Sequence, residues 1–238
     1  MKLLKDFLKT LTDAIYPINC INCGQEEVWV CKNCFDKIPQ NTIHYCLNCK
    51  RQTILGEFCH DCAPSFYLDK VWIASDFQNK TINRLIKTYK YDFARDIAQS
   101  LGIFLFDFLK EQVIRQTKDF DIKKTIIIPI PLHNKRLRWR GFNQSEKLAR
   151  FVADRLQIKI ETVNLKRVKF RKTQASLNKE ARIKNVQAAF SWQGPRLNQK
   201  NIILVDDVTT TGATLNECAK ILKANGANKV WGLVLANG

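Results

Sequence analysis

No apolar run in this chain approaches the roughly 18 residues needed to cross a bilayer, which argues against a membrane-spanning protein. The start lacks the continuous apolar core of a secretory leader. Leu3, Leu4, Phe7, Leu8 and Leu11 recur at helical spacing there, but Lys5, Asp6 and Lys9 interrupt them. A short amphipathic helix packed on its own protein is the expectation, and with it a cytoplasmic location. Low-complexity stretches are missing, and so are internal repeats other than cysteine pairs. With 45% hydrophobic and 26% charged residues, wholesale disorder is excluded. Beyond residue 62 even cysteine almost vanishes: eight of the nine lie before residue 63, and Cys218 stands alone.

Acidic residues are short where basic ones gather. The net charge is +17, yet residues 1–65 hold seven basic and seven acidic side chains. The excess therefore belongs to residues 66–238, with 32 basic against 15 acidic. Between His133 and Lys184 the count is 16 to 4. Charge this concentrated speaks of partners rather than fold, namely the phosphates of a small molecule or of a nucleic acid.

Cysteine in a reducing compartment, arranged in pairs, reads as metal ligation rather than disulfide. The pairs are Cys20/Cys23, Cys31/Cys34, Cys46/Cys49 and Cys59/Cys62, each with two residues between. Such a knuckle points two thiolates at one place, and two knuckles make the tetrahedral sulfur cage that suits zinc. Two tandem zinc ribbons over 1–66 are expected, with two structural Zn²⁺ ions and sequential pairing preferred to a crossed one. An iron–sulfur cluster is the competing chemistry. His60 lies inside the last knuckle and reads as a bystander. Full thiolate coordination leaves no open position for a substrate, so the head is expected to brace or dock.

From 67 to 238 the pattern changes to alternating strands and helices. Strands are expected over Lys70–Phe77, Thr125–Ile130, Asn201–Val205 and Lys229–Ala236. Helices are expected over Lys80–Tyr89, Ile97–Arg115, Asn143–Leu156 and Ala213–Ala224. That alternation gives an α/β fold, a parallel sheet with helices on both faces, whose ligands sit beyond the carboxyl ends of the strands. There the chain reads Ile-Ile-Leu-Val-Asp206-Asp207-Val-Thr209-Thr210-Thr211-Gly212-Ala213-Thr214. Carboxylates accept hydrogen bonds from vicinal ribose hydroxyls. Backbone N–H groups of Thr210 to Thr214, at a helix start, can cradle a 5′-phosphate, and Gly212 lets the main chain come close. Cys218, on the following helix, reads as buried packing.

This stretch resembles the phosphoribosyl pyrophosphate (PRPP) signature of type I phosphoribosyltransferases, with Thr209 standing where that family usually has an apolar residue. Two further stretches are Pro129-Ile-Pro131-Leu-His133-Asn-Lys135-Arg136, followed by Arg140-Gly141-Phe142-Asn143-Gln144, and Gln174 to Phe190 with Arg182 and Asn185. Together with the cysteine-rich head they resemble the late-competence ComF family over nearly the whole chain. That resemblance implies a phosphoribosyltransferase fold, with a loop near His133–Arg140 facing the pyrophosphate and a flap around Arg171–Arg182. It also implies a link to uptake of single-stranded DNA, with the basic region 133–184 on the DNA and the zinc head on the uptake machinery. Lys135, Arg136 and Arg140 suit a leaving pyrophosphate, which needs fixed cations and Mg²⁺ more than a protein base. His133 reads as positioning its loop or touching phosphate, and Trp139 either stacks on a base or anchors the loop.

Two functions follow from these expectations. One is an enzyme transferring ribose 5-phosphate from PRPP to a nitrogen nucleophile. The other is a non-catalytic sensor or scaffold that binds single-stranded DNA through its basic surface.

Overall fold

The computed structural model describes residues 18–91, 97–117, 120–169 and 186–238. The helix expected within residues 1–17 and the flap around Arg171–Arg182 lie outside them. In chain order the body elements follow a short helix α1 (Lys32–Asp36) in the cysteine-rich head. They are β1 (Lys70–Asp76), α2 (Lys80–Tyr91), α3 (Ile97–Phe108), β2 (Thr125–Pro129), α4 (Asn134–Arg140) and α5 (Gln144–Leu156). Then come β3 (Lys159–Ile160), β4 (Leu165–Arg167), β5 (Phe190–Trp192), β6 (Asn201–Thr209), α6 (Ala213–Ala224) and β7 (Val230–Asn237). A five-stranded parallel sheet has the order β1-β7-β6-β2-β3, and β4 pairs with β5 as a separate antiparallel ribbon.

Strand residues alternate between faces, and a parallel sheet must be covered on both. Ile127, Ile203, Val205, Leu233 and Leu235 face a cluster completed by α2, α3 and α5 through Leu85, Leu101, Leu105 and Leu148. The intervening Ile128, Ile202, Leu204, Val230 and Val234 meet α6 through Leu215, Cys218 and Leu222. Cys46, Leu47, Phe58, Cys59, Cys62 and Leu68 belong to this same second cluster. The head therefore packs where α6 alone leaves sheet surface to cover. The two sides of the expected boundary between 1–66 and 67–238 share apolar contacts.

Three elements differ from the sequence-based expectation. The strand expected to end at Val205 continues to Thr209, because Asp206, Val208 and Thr209 pair with Val234, Ala236 and Asn237 of β7. The stretch expected as a loop near His133–Arg140 is the helix α4, started by His133 and stopped by Gly141 in a left-handed conformation (φ 74°). The helix expected over Ile97–Arg115 changes after Phe108 into a wider π turn, Leu109–Val113, and a 3-10 turn, Ile114–Gln116.

Candidate functional site

The strand order reverses between β6 and β2, which is where an open α/β sheet leaves a crevice at its carboxyl edge. The β2–β6 ladder ends at the Pro129–Val205 pair, whereas β6 runs on to Thr209 beside β7 alone. Ile130 N–H still donates to the Val205 carbonyl at 2.9 Å, and beyond it the chain leaves β6 to begin α4. A notch results, with Asp206–Thr209 on one side and the entry to α4 on the other.

The two acids in this notch are not equivalent. Consecutive strand residues point to opposite faces. Asp207 is 8% exposed and is paired with Lys90 of α2, Nζ to Oδ1 at 3.0 Å. Asp206 keeps more open surface; its Oδ1 accepts from the Ser145 hydroxyl at 2.8 Å and from the Asp207 N–H at 2.9 Å. Burial and then the Asp207 charge push Asp206 up to about 7, against the lowering influence of Ser145, Lys90 and the Asp207 N–H. Arg167 on β4 and Cys218 on α6 also feel the Asp206 charge. Lys90, Ser145 and Arg167 were not found by sequence reasoning. Lys90 looks like one more cation on an amphipathic helix. Ser145 had a signal, since it directly follows the Arg140–Gln144 element.

Thr210 and Thr211 lead from β6 to Gly212, whose φ of 73° is left-handed and which starts α6 without a side-chain cap. Thr211 Oγ1 accepts from Ala213 N–H at 3.3 Å, closing the turn and directing Thr214 into the first helical turn. The other N–H groups of a helix start have no intrahelical acceptor and can serve an anion. Gly212 has a second reason to be glycine: a Cβ there would lie 2.5 Å from Leu47 Cδ2 of the third knuckle. With its amide oriented to satisfy both neighbours, Asn237 donates to the Thr209 and Thr210 carbonyls at 3.2 Å each and accepts from Lys50 Nζ at 2.6 Å. Asn216, one turn into α6, accepts from Tyr67 N–H at 2.7 Å. The phosphate-loop candidate is thus held from outside by the head.

Across the notch, His133 Nδ1 accepts from Lys135 N–H at 3.2 Å, so any neutral-ring proton sits on Nε2. Burial, then the cations Arg167, Lys135, Arg138 and Arg136, lower its pKa. The helix-starting contact supports the positioning reading of His133. The Arg140–Gln144 stretch forms a corner. Arg140 Nη1 donates to Gln144 Oε1 at 3.1 Å, Phe142 packs on Tyr89 with ring centres 5.5 Å apart, and Asn143 Nδ2 donates to the Ile130 carbonyl at 3.1 Å. Tyr89 OH donates to the Gln144 carbonyl at 2.9 Å. Lys135, Arg136 and Arg140, the residues expected on the pyrophosphate side, all lie on α4, and one bond of Arg140 goes to Gln144. Trp139, on the same helix, is 63% exposed.

The eight head cysteines gather as two groups, Cys20/Cys23/Cys31/Cys34 and Cys46/Cys49/Cys59/Cys62, with all Sγ atoms of a group within 4.8 Å of one another. Tetrahedral coordination with Zn–S bonds of about 2.3 Å puts sulfurs about 3.8 Å apart. The Cys23–Cys31 and Cys49–Cys59 sulfurs are at 3.6 and 3.5 Å. Pairing is sequential, and both donor sets are compatible with zinc ribbons. Burial opposes ionisation of Cys20, but N–H donors from Cys31, Cys23 and Asn22 outweigh it and lower the thiol to about 6. Cys46 is likewise lowered to about 6, burial again opposed by N–H groups of Cys49, Cys59 and Asn48. The exposed His60 lies outside both groups, and Cys218 is fully buried.

Residues 143–238 match the phosphoribosyl transferase domain family. Competence protein F of Haemophilus influenzae is 30% identical over 233 residues, covering 93% of this chain and 98% of that protein. Competence protein ComFC of Bacillus subtilis is 30% identical, covering 89% of this chain and 91% of the other. The DNA utilization protein YhgH of Escherichia coli O157:H7 is 32% identical over 149 residues, or 63% of this chain and 64% of that protein. No helix among the described residues is long and apolar enough to cross a membrane. A parallel sheet with a phosphoribosyl transferase domain, two four-cysteine cages and this near end-to-end likeness lead to one conclusion: the chain belongs to the competence protein F/ComFC family.

Proposed function

We propose that the chain binds PRPP with Mg²⁺ in the notch between β2 and β6, holds Zn²⁺ in both cysteine cages, and serves uptake of single-stranded DNA in natural transformation, in the cytoplasm. The observation that carries this reading is the notch itself. It has carboxylates on one wall, a glycine-hinged helix start at one rim and the cationic α4 at the other. Asp206 accepts from the ribose hydroxyls, and Asp207 joins it by exchanging Lys90 for the sugar. Thr209, Thr210, Thr211, Gly212, Ala213 and Thr214 wrap the 5′-phosphate. His133, Lys135 and Arg136 sit on the pyrophosphate side, with Arg140 rotating out of its contact with Gln144. Magnesium supplies charge neutralisation on the pyrophosphate when bound with it.

Transfer would break the bond between the ribose C1 and the pyrophosphate oxygen, leave the electron pair on pyrophosphate and join a nitrogen nucleophile to C1, with the nitrogen's proton released to solvent. The fixed cations of α4 favour that departure. A second reading is a non-catalytic sensor that binds the ligand without transferring it, favoured by Asp207, which is already paired with Lys90. The link to DNA draws on the competence and DNA utilization relatives and on exposed Trp139 among the cations of α4, a combination suited to phosphates and unstacked bases.

Calorimetric titration of PRPP with Mg²⁺ tests the site. Binding is expected in the native chain and none in Asp206→Asn/Asp207→Asn; equal heats overturn the reading. Pyrophosphate release on adding nitrogen heterocycles then separates enzyme from sensor.

A further inference from the structure

Of the two acids in the notch, Asp207 is the one that already holds a cation. Lys90 Nζ lies 3.0 Å from its Oδ1, with the two side chains 20% and 11% exposed. Among the described residues no second carboxylate comes within ion-pair distance of that ammonium. The lysine is also fixed from behind. It lies in the last turn of α2, next to the fully buried Tyr89, whose OH donates to the Gln144 carbonyl at 2.9 Å. The pair is therefore built into the wall of the notch.

Such a pair sets a condition on any sugar that enters. A ribose hydroxyl is a neutral donor, and Asp207 must give up a charged one to accept from it. An ammonium stripped of its carboxylate in a mostly buried place is costly. The exchange is balanced when the ligand itself brings an anion for the ammonium. PRPP does so, because its pyrophosphate is joined to C1, the carbon beside the hydroxyl-bearing C2. Ribose 5-phosphate does not, because its phosphate sits at the far end of the sugar.

We propose that Lys90 is a specificity-determining residue that tells PRPP from ribose 5-phosphates lacking a charged group at C1. With PRPP it releases Asp207 to the sugar and turns to the pyrophosphate. With the others it keeps Asp207, and the sugar is held less well. The same rule covers a nucleoside 5′-monophosphate, the class of product that transfer would leave, since its C1 carries a neutral ring. Lys90 thereby favours entry of the donor and exit of the product. For a sensor, it makes the response depend on the pyrophosphate and not on the sugar phosphate alone.

The proposal rests on the reading of the notch as a PRPP site, and the experiment keeps the two apart. Titration calorimetry on the full chain measures PRPP and ribose 5-phosphate, each with Mg²⁺, in the native chain, Lys90→Met, Lys90→Gln and Lys90→Arg. The quantity read is the ratio of the two affinities. The native chain is expected to prefer PRPP. Lys90→Met is expected to bind PRPP about tenfold more weakly, the scale of one hydrogen bond to a charged group, while ribose 5-phosphate affinity stays level or rises. Lys90→Gln still donates to Asp207 but carries no charge, and it decides the matter where Lys90→Met does not fold. Lys90→Arg, which keeps the charge, is expected to keep the native preference. A lysine that merely supported the fold would weaken both ligands together. An unchanged ratio in the Met and Gln variants, or equal native affinity for the two ligands, overturns the proposal and leaves the PRPP reading standing. Failure of the native chain to bind either ligand overturns both.

Discussion

Cys20-Ile21-Asn22-Cys23 and Cys46-Leu47-Asn48-Cys49 are near copies of one knuckle, and their local bonds correspond. Asn22 Nδ2 donates to Cys34 Sγ at 3.4 Å, and Asn48 Nδ2 to Cys62 Sγ at 3.2 Å. Gly24 N–H reaches the Cys20 carbonyl at 2.8 Å, and Lys50 N–H the Cys46 carbonyl at 2.9 Å. Their surroundings do not correspond. Ile21 is only partly buried, and its carbonyl accepts from Arg84 of α2. Leu47 is fully packed against Gly212. The cysteines of the first cage keep a small apolar cluster of their own, with Ile21, Phe35 and Ile38 around them packing on the α2–α3 side of the core. The cysteines of the second cage lie instead in the cluster under α6 and the phosphate-loop candidate. Thiolate spacing thus fixes how a ribbon folds, and the residue between the cysteines decides what it supports.

The largest expected effect breaks this comparison at the cages themselves. A structural zinc site carries on the order of 10 kcal/mol of local folding energy. Cys46→Ser is expected to lower both the melting temperature and ribose 5-phosphate affinity, the latter by more than about tenfold, because Leu47 and Lys50 lose their fixed places. Cys20→Ser should release the first ribbon and leave that affinity within about twofold, as expected for a site without shared partners. Metal content, melting curves and titration calorimetry read all three quantities. Equal losses of affinity in the two variants would mean that both ribbons serve the loop alike.

Sequence carried the local half of this picture. Paired thiols specify knuckles, β-branched runs specify β2 and the inner part of β6, and α6 spans Ala213–Ala224 as expected. Local pattern failed where a distant partner decides the outcome. Asp206 to Thr209 have the composition of a loop but become strand through pairing with β7. The resemblance implied a loop near His133–Arg140, yet His133 and Gly141 bound a helix there. Lys90 and Leu47 reach the candidate site from elements far away in sequence, so spacing near the acids held no trace of them.

A smaller effect sharpens the comparison at the contact between ribbon and loop. Gly212→Ala must meet Leu47 Cδ2 at 2.5 Å and hold φ at 73°. The left-handed backbone alone costs about 1–2 kcal/mol, and ribose 5-phosphate affinity is expected to fall about tenfold with the displaced loop. Leu47→Ala instead opens a cavity, costing about 2–5 kcal/mol of stability. Combining them is expected to be less harmful than the sum, since the added methyl group enters the vacated space while the backbone strain persists. Strict additivity in melting curves would show that ribbon and loop do not press on one another.

The smallest effect concerns the residue after each knuckle. Gly24 and Lys50 hold equivalent left-handed places, φ 82° and 63°. A Cβ on Gly24 would meet nothing within 4 Å; lysine at position 50 accepts an unfavourable backbone while its Nζ faces Asn237. Lys50→Gly removes a left-handed penalty of about 1–2 kcal/mol but adds the chain entropy of glycine, about 0.5–1 kcal/mol. Stability should therefore rise slightly or stay level, while ribose 5-phosphate affinity falls several-fold because Asn237 loses its anchor. Gly24→Lys should do the reverse, lowering stability by about 1 kcal/mol with affinity untouched. Opposite signs from one exchange at twin positions separate a residue kept for the loop from one kept for the turn. If Lys50→Gly leaves affinity unchanged, the bridge through Asn237 is packing without consequence, and the second cage supports the loop through Leu47 alone.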